Sequence, residues 1–351
     1  MFPQLLCQPP RRKTHGCRHG FHRRSTRTVT STVRIGTRGS ALAVTQTTTV
    51  AEALAAAGGV DYELVRIKTE GDILKGSLAQ IGGTGVFVAA LREALLDDRC
   101  DVAVHSLKDL PTGVADGLQI AAYPARVDVR DALCARDGLT LSELPAGAKV
   151  GTGSPRRAAQ LRAARPDLEV IDIRGNVETR LGRVRGMHGP EVIKGKQGDL
   201  DGVVLAAAGL SRLGRTETIT ELLDPTVMLP APGQGSLAVE CRTADAADGS
   251  ALAKAMKDYD DEATRLSVTA ERALLARLEA GCSAPIGALA TLAGDVLRLE
   301  AVVCRPDGTR LLRSSLETNS PDMEAAAGLG ARLAEDLLAQ GAGELTPLAG
   351  S

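Results

Sequence analysis

Residues 33–68, VRIGTRGSALAVTQTTTVAEALAAAGGVDYELVRIK, decide the fold class. Residues 33–36 read as a short strand, and Ser40 stands where an N-cap opens an Ala-rich helix that Gly58-Gly59 ends. Residues 62–68 then alternate apolar and polar, which is the period of a second strand. Strand, helix and strand in this order make a parallel βα unit. A Gly-rich loop from Gly71 to Gly85, a helix over 87–96 and a strand over 101–104 extend it. The rhythm restarts with strands at 149–151, 169–173 and 202–205, each followed by a helical stretch. The expected class is therefore α/β, with two doubly wound domains.

Between and after these units the texture changes. Residues 225–235 hold three prolines and two glycines and read as a crossover or hinge. Beyond about residue 258, a long amphipathic helix over 261–280 leads to Gly281-Cys282. Three alternating strands around the Gly294-Asp295 and Asp307-Gly308 turns follow, then a last helix near 323–340. That is a small α+β domain. The expected bounds are a basic tail over 1–30, domain 1 over 31–127 with 233–257, domain 2 over 128–232, and a C-terminal domain over 258–351.

Composition removes several function classes. The 351 residues suffice for two or three cores, and no run of apolar residues is long enough to span a membrane. Aromatic content is 2% with no Trp, which leaves no stacking platform for single-stranded nucleic acid. A formal charge of −1 argues against a phosphate-backbone binder. Residues 1–28 carry seven Lys or Arg and no acid, so the charge without them is −8. This tail reads as disordered: either an overcalled start, the favoured reading, or a transit peptide lacking the usual amphipathic face. Three of the five histidines lie in it, which leaves His105 and His188. Two distant histidines and no HExxH give no metal site. Cys100, Cys134, Cys241, Cys282 and Cys304 form no CxxC pair and read as reduced, cytosolic thiols.

The chemistry is expected at strand ends. Residues 101–111, DVAVHSLKDLP, run from an apolar strand into a polar turn that presents the carboxylate Asp109 beside Lys108. Other strand ends carry Arg38, Arg156, Arg157, Arg174 and Arg180, and eight arginines fall between residues 151 and 185. Guanidinium forks suit carboxylates and phosphates, so the pattern implies a cleft that holds a polyanion and does acid chemistry on it. Ser154 and Pro155 can open a helix whose N-terminus favours an anion. Replacing Arg156 or Arg157 is accordingly expected to harm binding more than stability. There is neither a full GxGxxG nor a GxxxxGK[ST], so nucleotide binding is unsupported. His105 reads as packed and hydrogen-bonded more readily than as a base. Cys282 reads either as a small buried apolar residue or as a thiol facing an interdomain cleft.

The motifs RIGTRGSALAVTQ, VAVHSLKDLPT, VGTGSPRRAAQL, IRGNVETRL, LAAAGLSRLG, LPAPGQGSLAVECR and LEAGCSAPIGA, in this order, closely resemble the porphobilinogen deaminase (hydroxymethylbilane synthase) family. The resemblance runs from Val33 to the final helix. It implies a transferase of tetrapyrrole biosynthesis that condenses four porphobilinogen units head to tail, with loss of ammonia, and hydrolyses off hydroxymethylbilane. It implies a dipyrromethane cofactor on a thioether to Cys282, with Arg156, Arg157, Lys108, Ser106, Ser154 and Thr152 around it. Asp109 would protonate the leaving amine and stabilise the azafulvenium-like cation. Arg38, Arg174, Arg180, Arg212, Gln46, Gln234 and Phe87 would meet the substrate.

The chain departs from the family pattern K-x-GGKG in QIGGTGVF, where Gln80 and Thr84 replace two lysines, and residues 182–198 form a longer connection than usual. The expected partner is the small-molecule substrate alone, with no nucleic acid or membrane, for a cytoplasmic monomer. Two doubly wound domains around a hinge are also the architecture of periplasmic solute-binding proteins, so a non-catalytic anion-binding protein is the alternative.

Overall fold

The computed structural model describes residues 32–68, 85–187, 198–278 and 284–346. Strand β1 (Thr32–Thr37) leads into helix α1 (Ala41–Gly58) and strand β2 (Asp61–Arg66). Ser40 Oγ accepts the amide N–H of Ala43 at 3.3 Å, and Gly59 ends the helix in the left-handed region at φ 60. Helix α2 (Gly85–Leu96), strand β3 (Val102–Ser106) and strand β4 (Leu118–Ala122) follow.

The chain then crosses to a second sheet. It comprises β5 (Asp131–Ala135), β6 (Lys149–Thr152), helix α3 (Pro155–Ala164), β7 (Glu169–Asp172), helix α4 (Val177–Leu181), β8 (Gly202–Ala206), helix α5 (Ala207–Arg212) and β9 (Glu221–Leu222). It returns as β10 (Leu237–Arg242), helix α6 (Thr243–Ala247) and helix α7 (Ala251–Asp258). Helix α8 (Glu262–Arg277), strands β11 (Ile286–Ala293), β12 (Val296–Cys304) and β13 (Leu311–Asn319), and helix α9 (Met323–Ala339) complete it.

The two five-stranded sheets share one plan. Their orders are β2-β1-β3-β10-β4 and β7-β6-β8-β5-β9. In each, the first three strands are parallel, with Ile35 opposite Val102 in one and Val150 opposite Gly202 in the other. The fourth strand runs antiparallel to the third, β10 against β3 and β5 against β8. The sheets are therefore mixed, where the strand–helix rhythm had implied parallel units alone. β5 has all five residues buried and β10 five of six, so neither shows the alternation that marks a strand in sequence.

Both sheets are covered on both faces. Val33, Ile35, Val50, Leu54, Val104, Val239 and Met256 pack under α1 and α7, while Leu91, Leu95, Cys100 and Ala103 pack under α2. The second sheet buries Leu133, Val150, Leu161 and Val204 on one side and Ile173, Leu181, Val203 and Leu210 on the other. Gly36 and Gly151 hold equivalent places in β1 and β6. A Cβ at Gly36 would meet Cys100 Sγ at 2.9 Å, and one at Gly151 would meet Leu200 Cδ1 at 2.6 Å, so a larger residue at either place would have to push packed side chains aside.

The third sheet alternates cleanly. Leu297, Leu299, Ala301 and Val303 face α8 and α9, whereas Val302 and Cys304 face Ala159 of α3 and Leu229. Glu271 of α8 is fully buried and ties the C-terminal domain to both crossovers. It accepts Arg126 Nη1 at 2.6 Å, the Gly233 amide at 2.6 Å and the Ala290 amide at 2.8 Å. Among the described residues no helix is long and apolar enough to cross a membrane.

Candidate active site

The cleft has two adjoining lobes that share Leu42, Gln46 and Ser106. Strand β3 delivers both. After Ser106 the chain makes one 3₁₀ turn over Leu107–Asp109, pinned by the buried Leu107 and by its amide donating to Ser236 O at 3.0 Å. The turn sends neighbouring residues apart: Lys108 lines one lobe and the exposed Asp109 lines the other. Gln46, on α1, accepts from Ser106 Oγ at 3.2 Å and forms part of both walls.

The lobe of Asp109 also includes Arg38, Ser40 and His105. His105 is buried, with Nε2 3.0 Å from Glu240 Oε2, and Glu240 Oε1 accepts Arg92 Nε at 3.0 Å. Burial alone would raise the Glu240 carboxyl, but His105 and then Arg92 outweigh it and hold it below its ordinary value. His105 is thus a packed histidine set against a buried carboxylate.

The other lobe is cationic. Lys108, Arg157, Arg180 and Arg212 line it, and no Asp or Glu does among the described residues. Arg180 Nε donates to Gly175 O at 2.8 Å and Arg212 Nη2 to Gly235 O at 2.9 Å. Burial lowers both guanidiniums, and at Arg180 the neighbouring Arg157 and Arg174 lower it further. Burial, then Arg157, brings the Lys108 amine down to about 8, against the opposing pull of Asp109 and Asp131. A lobe this rich in mutually repelling cations is built for an anion with several negative groups.

Behind the lobe lies a carboxylate that sequence reading missed. Asp131, fully buried at the start of β5, receives Arg157 Nε at 3.0 Å, Arg157 Nη2 at 2.7 Å and Gln234 Nε2 at 2.8 Å, all on Oδ1. Its Oδ2 lies 2.8 Å from Arg156 Nη1. Burial would raise the Asp131 carboxyl, but Arg156 and Arg157 hold it well below the usual carboxylate range. The signal available in sequence was a charged residue opening the apolar run DALC.

The expected site residues divide accordingly. Arg157 lines the cleft, whereas Arg156 turns inward to Asp131 and to Leu229 O at 2.7 Å and lines neither lobe. Gln234 is fully buried, donates to Val129 O at 2.8 Å and accepts from Lys108 Nζ at 3.3 Å, so it stands behind the wall. Ser154 caps α3 by accepting from the Arg157 amide at 3.5 Å. Thr152 Oγ1 accepts the Ser154 amide at 3.2 Å. Both serve the turn that aims Arg157. Arg174 is exposed, 3.5 Å from Asp172, and outside both lobes. Cys282, Gln80, Thr84, His188 and the side chain of Phe87 lie outside the described residues, as does most of the 182–198 connection.

Residues 33–248 match the family model for the porphobilinogen deaminase dipyromethane cofactor binding domain, and residues 265–339 match the model for the porphobilinogen deaminase C-terminal domain. The chain is 53% identical to porphobilinogen deaminase of Micrococcus luteus, covering 89% of this chain and 94% of that one. It is 55% identical to the enzyme of the same name from Cutibacterium acnes, covering 92% and 98%. Among solved structures it is similar to a periplasmic substrate-binding protein of an ABC transporter from Coxiella burnetii, with 14% identity, a TM-score of 0.40, and coverage of 66% of this chain and 93% of that one.

Proposed function

The chain belongs to the porphobilinogen deaminase family, and on that premise we propose how its cleft performs the family reaction. The protein is a hydroxymethylbilane synthase, a transferase of tetrapyrrole biosynthesis that condenses porphobilinogen with loss of ammonia and carries a dipyrromethane cofactor. The observation that carries the mechanism is the parting of Lys108 and Asp109 into adjoining lobes. One lobe holds negative charge and the other supplies a carboxylate where positive charge develops.

The residues present fit the cofactor. Its carboxylate-bearing pyrroles require several cations and no competing acid, and the described residues lining the cationic lobe meet both demands. Lys108, Arg157, Arg180 and Arg212 would hold those carboxylates, with Ser106 and Gln46 at the junction of the lobes. When bound, the cofactor supplies the pyrrole terminus to which substrate is joined. Cys282, in the GCSAPIG turn, is the residue we assign to its attachment.

Asp109 holds the proton that goes to the aminomethyl nitrogen of porphobilinogen as ammonia leaves. Once ionised, it offsets the positive charge left on the substrate. Arg38, in the same lobe, would meet a substrate carboxylate and orient the aminomethyl group toward Asp109. Arg156, Gln234, Thr152 and Ser154 act from behind by fixing Arg157 and Lys108. Arg174 and Phe87 stand as further substrate contacts on the family resemblance alone.

We read the chain as three domains with the bounds given above, a reading that the membership of the three sheets supports, and as a cytoplasmic monomer. The four described cysteines are free and buried, in keeping with a reducing compartment. Intact mass and peptide mapping test the attachment. Wild type should exceed its sequence mass by the dipyrromethane, with the adduct on Cys282, and Cys282→Ser should lose the adduct while keeping its fold. Burial pushes the Cys134 thiol up to about 11 and the Cys241 thiol up to about 12, which disfavours their thiolates. An adduct mapped to either would overturn the assignment.

A further inference from the structure

We propose that Asp131 is a positioning residue for the cationic lobe, aiming two of its cations from a single buried carboxylate. The inference rests on the family reading of the cleft. Asp131 Oδ1 takes two bonds from Arg157, which fix the plane of that guanidinium, while Arg157 Nη1 is held by Val204 O at 3.2 Å. The same oxygen takes Gln234 Nε2. The other end of that amide accepts from Lys108 Nζ. A turn of the Asp131 carboxylate would therefore displace Arg157 directly and Lys108 through Gln234.

The charge count explains why two arginines share one acid. Arg156 faces Asp131 Oδ2 and Leu229 O, away from the cleft, and serves as the internal counter-ion. That leaves the charge of Arg157 over, on a side chain that lines the lobe. A second acid here would cancel the attraction for a polyanion. A neutral residue at 131 would leave two buried guanidiniums without compensation and the Arg157 fork without its anchor. The Thr152–Ser154 turn fixes only the backbone of Arg157; Asp131 fixes its working end.

Three variants separate positioning from charge compensation. Asp131→Asn should melt lower, raise KM for porphobilinogen by about tenfold or more with a smaller change in kcat, and shift Lys108 modification by an amine-directed reagent to lower pH. The double variant Asp131→Asn/Arg156→Gln removes one charge of each sign. It should regain most of the thermal midpoint while KM stays raised. Gln234→Met keeps every charge and leaves the Asp131–Arg157 bonds in place, cuts the amide that joins Asp131 to Lys108 together with its bond to Val129 O, and should raise KM several-fold in a folded protein. A double variant that recovers both midpoint and KM, or Gln234→Met with wild-type KM, overturns the proposal. Wild-type protein without adduct or turnover would instead overturn the functional reading, and the Lys108 modification profile would still test Asp131.

Discussion

Arg126 and Glu271 meet in a two-pronged ion pair, at 2.6 and 3.0 Å, that joins the first crossover between the sheets to helix α8. Glu271 is fully buried, and its remaining bonds reach the second crossover at Gly233 and strand β11 at Ala290. All three bodies of the fold thus converge on one carboxylate. Removing one member of a buried pair leaves the other charged and unsolvated, at a cost of about 3–5 kcal/mol. Glu271→Ala should lose roughly that much in urea unfolding. A loss within about 0.5 kcal/mol would show that the convergence is incidental.

Much of this architecture was legible. The βα rhythm, the Ser40 cap, the Gly-Gly stop and the alternating C-terminal strands all follow local rules that the structure obeys. What escaped were β4, β5, β9 and β10. β5 and β10 are nearly buried throughout and lack a period, and both pair with strands distant in sequence. At the site, Asp109 and the arginines were visible as residue types in strand-end turns. Asp131, Glu240 and Glu271 were not, because a carboxylate neutralised by arginines tens of residues away looks in sequence like any surface acid. The direction in which an arginine points is set by those hidden partners. Sequence therefore treated Arg156 and Arg157 alike, although one faces Leu229 and the other the cleft.

That difference changes the expectation for Arg156. Arg156→Leu should destabilise the fold by about 3 kcal/mol, since a buried ion pair and the bond to Leu229 O are both lost. Arg180→Leu should change stability by no more than about 1 kcal/mol. It should weaken substrate binding by about 1.5–3 kcal/mol, roughly 10- to 150-fold in KM, because Arg180 lines the lobe and its described bond is to a backbone carbonyl. Thermal melts set beside KM for the two proteins decide it. Equal melting losses would remove the distinction.

Lys108 gives the cleft a pH dependence. Its amine falls from the ordinary 10.5 to about 8, by burial first and Arg157 second. Between those values the unfolded chain binds more protons than the native one, so this group makes stability rise with pH from about 8 to 10.5. The charge available to an anion falls over the same range. In Cys282→Ser protein, which on the proposed attachment carries no adduct, Lys108 modification should have its midpoint near pH 8. In wild type, an anion in the lobe should move it upward. A midpoint near 10 without the adduct would show the amine to be freely solvated.

Asp109 carries the sharpest expectation. It is exposed to the cleft, it is the only carboxylate among the described residues lining its lobe, and the turn that holds it is anchored by the buried Leu107. Asp109→Asn should therefore leave the fold and the cationic lobe intact and still bind substrate. Asparagine keeps the size and an acceptor oxygen, but it can neither deliver a proton to the amine nor offset a cation. Loss of proton transfer alone removes roughly 10²–10⁴-fold in rate, and loss of charge stabilisation adds to it. Asp109→Glu keeps the carboxylate at a displaced position and should retain more. The measurement is single-turnover ammonia release by wild type, Asp109→Glu and Asp109→Asn, each first confirmed by mass to carry its adduct. Near-normal release from the Asn variant would take Asp109 out of the mechanism. His105, in the same lobe, could replace it only by leaving Glu240, and a Glu240→Gln variant would then change the pH profile of release.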